Sequence, residues 1–359
     1  MVLGAVALGV VVVLAVIVFA PTGVTVAFFT ALISAGVVVF AGWRRLVQVV
    51  VVLILVTFFA SVLIRLQPGD PTNAIIPFST EEQREELREE LGLNENIFVQ
   101  YWGFLNDFVR GDTRYYQSAG QQVSGQPVWD RLGTALPVSL LLMLYAQILA
   151  LAIAIPLGIL TAYRAGSRFD KGVNTTAFGF LALPNFVIAY ILIYYLAVEN
   201  DFFPTQGYTT FGESATEHFK SLFLPAVALS LGLIAAYMRL LRSDMIQTLQ
   251  EDFITMARSK GLSTRRILLL HALRPSSFTL LTVAAINLGA LIGGVIIIEV
   301  IFQLPGVGLL LFQALNADQY PAVQTLIAII AIVYVLANVV VDVLYAVLDP
   351  RIRHARTAR

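Results

Sequence analysis

The residues of this chain that carry chemistry are few, and their placement excludes most of the chemistry those residue types perform. His218, His271 and His354 fall in three separate polar segments, so they make no spaced metal-ligand set. There is no cysteine, which removes iron–sulfur clusters, thiolate zinc and cysteine nucleophiles. No glycine directly precedes a lysine, so a G-x-x-x-x-G-K-[ST] phosphate loop is absent, as are G-x-S-x-G and H-E-x-x-H. A chain that moved material uphill with this inventory would need another protein to bind its nucleotide. Ion-coupled carriers bury several ionisable groups near the bilayer midplane. Here only Asp342 lies within an apolar stretch, close to one end, where pairing with a neighbouring helix or snorkelling explains it better than proton relay.

One polar segment has the pattern of a mechanical contact. It reads Glu251-Asp252-Phe253-Ile254-Thr255-Met256-Ala257-Arg258-Ser259-Lys260-Gly261-Leu262-Ser263. Acids at its start and bases at its end suit the macrodipole of one short helix over 252–260. Gly261 supplies a left-handed stop, and Ser263 caps a second helix running through Leu273. Phe253, Met256, Ala257 and Lys260 share a face that is apolar apart from the lysine. Such a helix, held between two spans, passes a push from a soluble partner into them. Alternatively it rests on lipid headgroups, drawn there by Arg258, Arg265 and Arg266. The pattern leaves both uses open.

The elements that must position this segment follow from composition. Of 359 residues, 58% are hydrophobic and 13% charged, against roughly 45–50% and 25% in soluble domains. The excess places the chain in a bilayer, and the formal net charge of zero gives no pointer to nucleic acid. A hydrocarbon core of about 30 Å needs about 20 apolar residues. Eight stretches qualify: 2–20, 24–42, 46–64, 135–162, 173–198, 221–238, 276–298 and 322–348. The first lacks the basic n-region and cleavage site of a signal peptide, so residues 1–42 read as a transmembrane hairpin turning at Pro21-Thr22-Gly23. The segments between spans alternate in charge. Those around Arg44-Arg45, 163–172, 239–275 and beyond Asp349 hold 16 of the 23 basic residues, and the opposite set holds 17 of the 23 acids. Basic loops stay cytoplasmic, which puts both termini inside.

Residues 65–134 are long enough for a small extracytoplasmic subdomain. Ser79-Thr80-Glu81-Glu82-Gln83 has the residue types of a capping box. Glu81 and Arg84, then Glu85 and Arg88, support a solvated helix that Gly92 ends. Phe98, Tyr101, Trp102, Leu105 and Phe108 predict a second helix against the membrane surface or the first span.

From about Trp43 to Arg353 these features resemble the permease subunits of ABC importers of the dipeptide/oligopeptide/nickel family. The landmarks run in order: Arg44-Arg45, Pro68-Gly69-Asp70-Pro71, Leu91-Gly92-Leu93, Gln100-Tyr101, Gly111-Asp112 and Leu183-Pro184-Asn185-Phe186. They continue with 257–263, His271-Ala272-Leu273-Arg274, 299–308, Asp318-Gln319-Tyr320-Pro321, Asp342 and Asp349-Pro350-Arg351-Ile352-Arg353. The chain departs from the family in three places. Thr255-Met256-Ala257 stands where the family has E-A-A, Thr113-Arg114-Tyr115-Tyr116 replaces a small-residue stretch, and the first two spans are additional.

The resemblance implies an all-α, polytopic membrane bundle of the type I importer permease kind, with six family spans in 43–353, the extra hairpin in 1–42 and a basic tail in 354–359. It implies a second homologous permease, two ABC ATPase subunits that carry ATP and Mg, an extracytoplasmic substrate-binding protein, and no cofactor on this chain. Phe253, Ile254, Met256, Ala257, Arg258, Ser259, Lys260 and Gly261 would form the ATPase-docking helix. Pro184, Asn185, Asn287 and Glu299 are candidates for the translocation path, although for the two asparagines hydrogen bonding between helices is the simpler use. The rival readings are an ion-coupled carrier or channel using Asp342 and Glu299, and a nonenzymatic membrane scaffold.

Overall fold

Backbone inside a bilayer must satisfy its own hydrogen bonds, so apolar stretches of this length fold as helices. The computed structural model describes residues 43–66, 72, 75, 80–90, 92–119 and 122–348. The expected hairpin in 1–42, the landmarks at 68–71 and 349–353, and the tail at 354–359 lie outside the described residues. The elements in order are α1 (Trp43–Arg65), α2 (Glu81–Glu90), α3 (Ile97–Arg110), strands β1 (Arg114–Ala119) and β2 (Gln122–Pro127), α4 (Val128–Tyr163) and α5 (Arg168–Ala182). Then come α6 (Asn185–Val198), α7 (Ala215–Thr248), α8 (Asp252–Ser259), α9 (Thr264–Phe302), α10 (Val307–Asn316) and α11 (Tyr320–Leu348).

Among the described residues, α4, α7, α9 and α11 are each long and apolar enough to cross a membrane, and α5 with α6 makes a fifth if that bent pair is one span. The 23-residue α1 covers the stretch expected at 46–64. With 36 and 34 residues, α4 and α7 run about 54 and 51 Å at 1.5 Å per residue, longer than the spans read from hydropathy alone.

Two expectations need correction. The stretch at 173–198 is not one straight span: α5 and α6 meet at a bend of 103°. Pro184 disfavours helical backbone at Leu183, which is extended at φ −94°, ψ 129°. The Pro184 carbonyl then accepts from the amides of Val187 and Ile188, starting α6 afresh. The other is local: the all-α fold class holds, but the segment after Gly111 contains a β-hairpin that the sequence reading did not place. Antiparallel β1 and β2 pair Arg114 with Pro127 through Ala119 with Gln122. The departure noted at 113–116 is therefore the entry to this hairpin, where Tyr115 and Tyr116 are buried.

The chain divides into two compact units. The first includes Leu140–Leu304. Its core surrounds α7, whose Tyr237, Met238, Leu241 and Met245 are at most 1% exposed and cluster with Ala150 and Ala154 of α4, Ala177 of α5, Ile254 of α8 and Leu280 of α9. On α4, Ala146, Ala150 and Ala154 are fully buried at every fourth position. Gly158 continues that stripe, and a Cβ there would come within 3.0 Å of Leu241. Small residues at this spacing let helix backbones approach closely in lipid.

The second unit takes the described residues up to Ser139 together with Pro305–Leu336. Its α2 opens with the capping box, centred on Thr80: the Thr80 amide donates to Gln83 Oε1, and the Gln83 amide to Thr80 Oγ1. Arg88 pairs with Glu85 at 2.8 Å, and Gly92 follows the helix at φ +61°. The inner face of α3 is Tyr101 and Phe104, while Trp102 is 74% exposed. Tyr101 meets α1 through its hydroxyl, 2.8 Å from Thr57 Oγ1 and 3.0 Å from the Ile54 carbonyl. Gln324 of α11 donates to Ser61 of α1 at 3.0 Å, and Gln319 accepts from the Tyr116 amide at 2.8 Å. These side-chain bonds tie the hairpin and α1 to the Asp318–Pro321 landmark and the start of α11.

Candidate functional site

The segment singled out at 251–263 folds as a short helix clamped between two long ones. The amides of Ile254 and Thr255 bond the Glu251 carbonyl at its start. At its end the Leu262 amide reaches the Ala257 carbonyl and the Gly261 amide reaches the Arg258 carbonyl, with Gly261 at φ +73°. That pair of bonds around a left-handed residue is a Schellman stop. The expected helix 252–260 is thus Asp252–Ser259, with Lys260 as its cap.

The face of α8 that packs differs from the one the pattern suggested. Ile254 is 0% and Ala257 6% exposed, and both join the core beneath α7 and α9. Phe253 is 45% and Met256 58% exposed, with Arg258, Ser259 and Lys260 also on the outside. Of the four residues grouped on one face, only Ala257 is buried. The helix is therefore anchored by Ile254 and Ala257, and it presents an apolar pair flanked by bases away from the core. The second helix was expected to be capped by Ser263 and to end near Leu273. Ser263 makes no side-chain cap, and α9 runs on to Phe302, with a π-helical segment at Ile267–Ala272. The short helix expected to end near Leu273 and the apolar stretch expected at 276–298 are thus one helix.

The residues proposed for a path are distributed differently. Pro184 and Asn185 sit at the bend between α5 and α6. Asn185 lies beside two glycines on different helices: a Cβ on Gly232 of α7 would be 3.8 Å from its Oδ1, and one on Gly294 of α9 would be 3.6 Å from its Nδ2. The missing side chains make room for this amide between three helices. Asn287 lies on α9 near the hydroxyl of Tyr237. That hydroxyl donates to Gln147 Oε1 at 3.2 Å, while Gln147 Nε2 donates to the Ala284 carbonyl at 3.3 Å. Glu299 is fully buried near the end of α9, where its carbonyl accepts the Leu304 amide at 2.9 Å. The structure thus places Asn287 beside a buried Gln147–Tyr237 pair, both members of which hydropathy had absorbed into apolar spans.

A further feature escaped the sequence reading. Asp170, 3% exposed near the start of α5, receives both arms of Arg242 from α7 at 2.6 and 2.7 Å. The Gly166 amide donates to Oδ2 at 2.8 Å and Asn174 Nδ2 to Oδ1 at 2.7 Å. Loop charge counting treats these residues as cytoplasmic surface. Their pairing across 72 positions carries no local signal.

Comparison with known proteins agrees with this architecture. Residues 154–354 match the family described as binding-protein-dependent transport system inner membrane component, and residues 39–143 match its N-terminal region. The chain is 38% identical over 313 residues to a Sinorhizobium fredii protein named probable peptide ABC transporter permease protein y4tP, covering 87% of this chain and 98% of that one. It is 35% identical over 316 residues to the oligopeptide transport system permease protein AppB of Bacillus subtilis, with the same coverage. It is 30% identical over 313 residues to the nickel import system permease protein NikB of Staphylococcus aureus, covering 86% of this chain and 90% of that one. With a bundle of spans, a clamped amphipathic helix and matches along most of its length, the chain belongs to the binding-protein-dependent transport system inner membrane component family and is a multi-pass permease subunit.

Proposed function

We propose that this permease forms half of the path of an ATP-driven importer of di- or oligopeptides, paired with a second homologous permease. The observation that carries the reading is α8, anchored by Ile254 and Ala257 while Phe253 and Met256 stay exposed. An exposed apolar pair on a helix fixed between two spans suits a partner that pushes. Two ABC ATPase subunits, binding ATP and Mg, would each grip one such helix, on this chain Phe253 to Gly261; the chain itself would bind no cofactor and hydrolyse nothing. The basic loops, α8 among them, would face the cytoplasm with both termini. An extracytoplasmic binding protein would deliver solute to the opposite face.

Peptide is the solute because the relatives of 35–38% identity carry peptide or oligopeptide in their names, against 30% for the nickel permease. The path is taken to run past the Pro184–Asn185 break and Asn287. Glu299, buried as it stands, would meet solute only after the end of α9 moves.

Proteoliposomes test this directly. Uptake of a labelled di- or oligopeptide is expected only when both permeases, the ATPases, the binding protein and ATP are all present. Gradient-driven uptake by this chain alone would overturn the proposal, as would ATP hydrolysis by the isolated chain.

A further inference from the structure

Between α6 and α7 the chain forms a strap, 204–214, rooted at both ends. Phe203 stacks on Phe223 of α7 with ring centroids 5.0 Å apart, and Ser214 Oγ accepts the Glu217 amide as the cap of α7. Between these roots two bonds to other elements hold the strap down. The Gly207 amide donates to the Phe302 carbonyl at the end of α9, at 3.0 Å. The Thr209 carbonyl lies 2.9 Å from Nδ1 of His218, in the first turn of α7. His218 is 0% exposed. Tyr208 and Phe211 from the strap, Tyr145 from α4 and Phe219 surround its ring, with centroids 5.5–6.0 Å away.

This geometry fixes the proton. A carbonyl only accepts, so Nδ1 carries the hydrogen, and Nε2 offers its lone pair to the Tyr145 hydroxyl at 3.1 Å. A second proton, on Nε2, would meet the hydrogen that Tyr145 donates and force that hydroxyl to turn. Tyr145 and Tyr208 are the titratable groups that face the ring from α4 and the strap. Glu213 accepts the Thr210 amide at 3.3 Å and Glu217 pairs with Lys220 at 3.0 Å, both on the exposed side. Among the described residues, then, no carboxylate bonds the imidazole. His218 precedes the apolar stretch 221–238, and burial pushes its pKa below the ordinary value, the Thr209 carbonyl offsetting part of that shift.

We infer that His218 is a pH-sensitive latch: neutral, it ties the strap across α4, α7 and the end of α9, and protonation lets the strap go. The released ring takes up a proton near pH 6.5, whereas the latched ring resists it. Release is therefore favoured as pH falls, by up to about tenfold for each unit below about 6.5. The importer reading enters only in placing the strap on the extracytoplasmic face, under the pH of the medium.

The test is hydrogen–deuterium exchange of the peptide that carries the Gly207 amide, in the full chain in lipid nanodiscs. Exchange at each pH is divided by that of the unfolded peptide, so the solvent's own pH dependence cancels. Relative exchange is expected to rise about tenfold between pH 7.5 and 5.5. It should stay level over that range in H218N, whose amide can donate to the Thr209 carbonyl but does not titrate. H218A should exchange faster than the wild type already at pH 7.5. A flat wild-type profile, an H218N profile that rises with the wild type's, or full protection in H218A at pH 7.5 overturns the latch. Where a variant fails to fold, the wild-type profile decides alone. No partner subunit takes part, so the outcome is separate from the uptake measurements that test the importer reading.

Discussion

G261V is expected to leave the importer inserted in the membrane and hydrolysing ATP while uptake falls about tenfold or more. Gly261 holds φ +73°, and the space around an added Cβ is empty. The cost is therefore conformational and not steric. A side chain in left-handed backbone costs about 1–2 kcal/mol, and a β-branched one more. About 1.4 kcal/mol already corresponds to a factor of ten in an equilibrium. The chain relieves the strain by giving up the bonds from Leu262 to Ala257 and from Gly261 to Arg258, which fix where α8 ends and α9 begins. Phe253 and Met256 then lose their fixed orientation over Ile254 and Ala257, and a push on the outer face no longer reaches the spans. G261N supplies the control, because asparagine enters left-handed backbone readily; it should retain most of the uptake. Paired measurements of peptide uptake and ATP hydrolysis in proteoliposomes decide the matter. Normal uptake by G261V would remove α8 from the coupling route.

R242A is expected to destabilise the folded chain by about 3 kcal/mol. It leaves the Asp170 carboxylate, 3% exposed, without its bidentate partner. Removing one member of a buried pair costs about 3–5 kcal/mol because the other charge stays in a poor solvent for it. The Gly166 amide and Asn174 still donate to the carboxylate, and Arg242 is itself 26% exposed on its side chain. Those features favour the lower end of the range. Thermal unfolding of the purified chain in detergent should show a drop of several degrees. The double variant D170N/R242A should recover much of it, since no charge is then stranded. If R242A melts with the wild type, the pair contributes nothing to holding α5 against α7.

The parts legible in the sequence were those written in local pattern. The spans followed from apolar length, the stop at Gly261 from one glycine after a basic turn, and the capping box of α2 from Thr80 and Gln83. The bend at Pro184 was less legible. Proline in a membrane span often kinks a helix without breaking it, and only the extended Leu183 shows that a new helix begins. The buried face of α8 was misassigned because Ile254 and Phe253 are adjacent and equally apolar, so the pattern could not choose which of them faced the core. The Gln147–Tyr237 bond and the Asp170–Arg242 pair join residues far apart in sequence, and only the folded chain reveals such pairs. The hairpin at 114–127 is short and polar, with none of the alternation that marks a half-buried strand.

The single run of α9 from Thr264 to Phe302, π-helical at Ile267–Ala272, has a geometric consequence. At 39 residues, with 1.5 Å of rise each, it is a lever arm of about 58 Å whose short end starts five residues after α8 stops. A rotation of about 5° at that end sweeps the opposite tip by about 5 Å, roughly one helical turn. If a motor acts on α8 as proposed, small movements at this end would in this way be magnified at the Phe302 end of the helix.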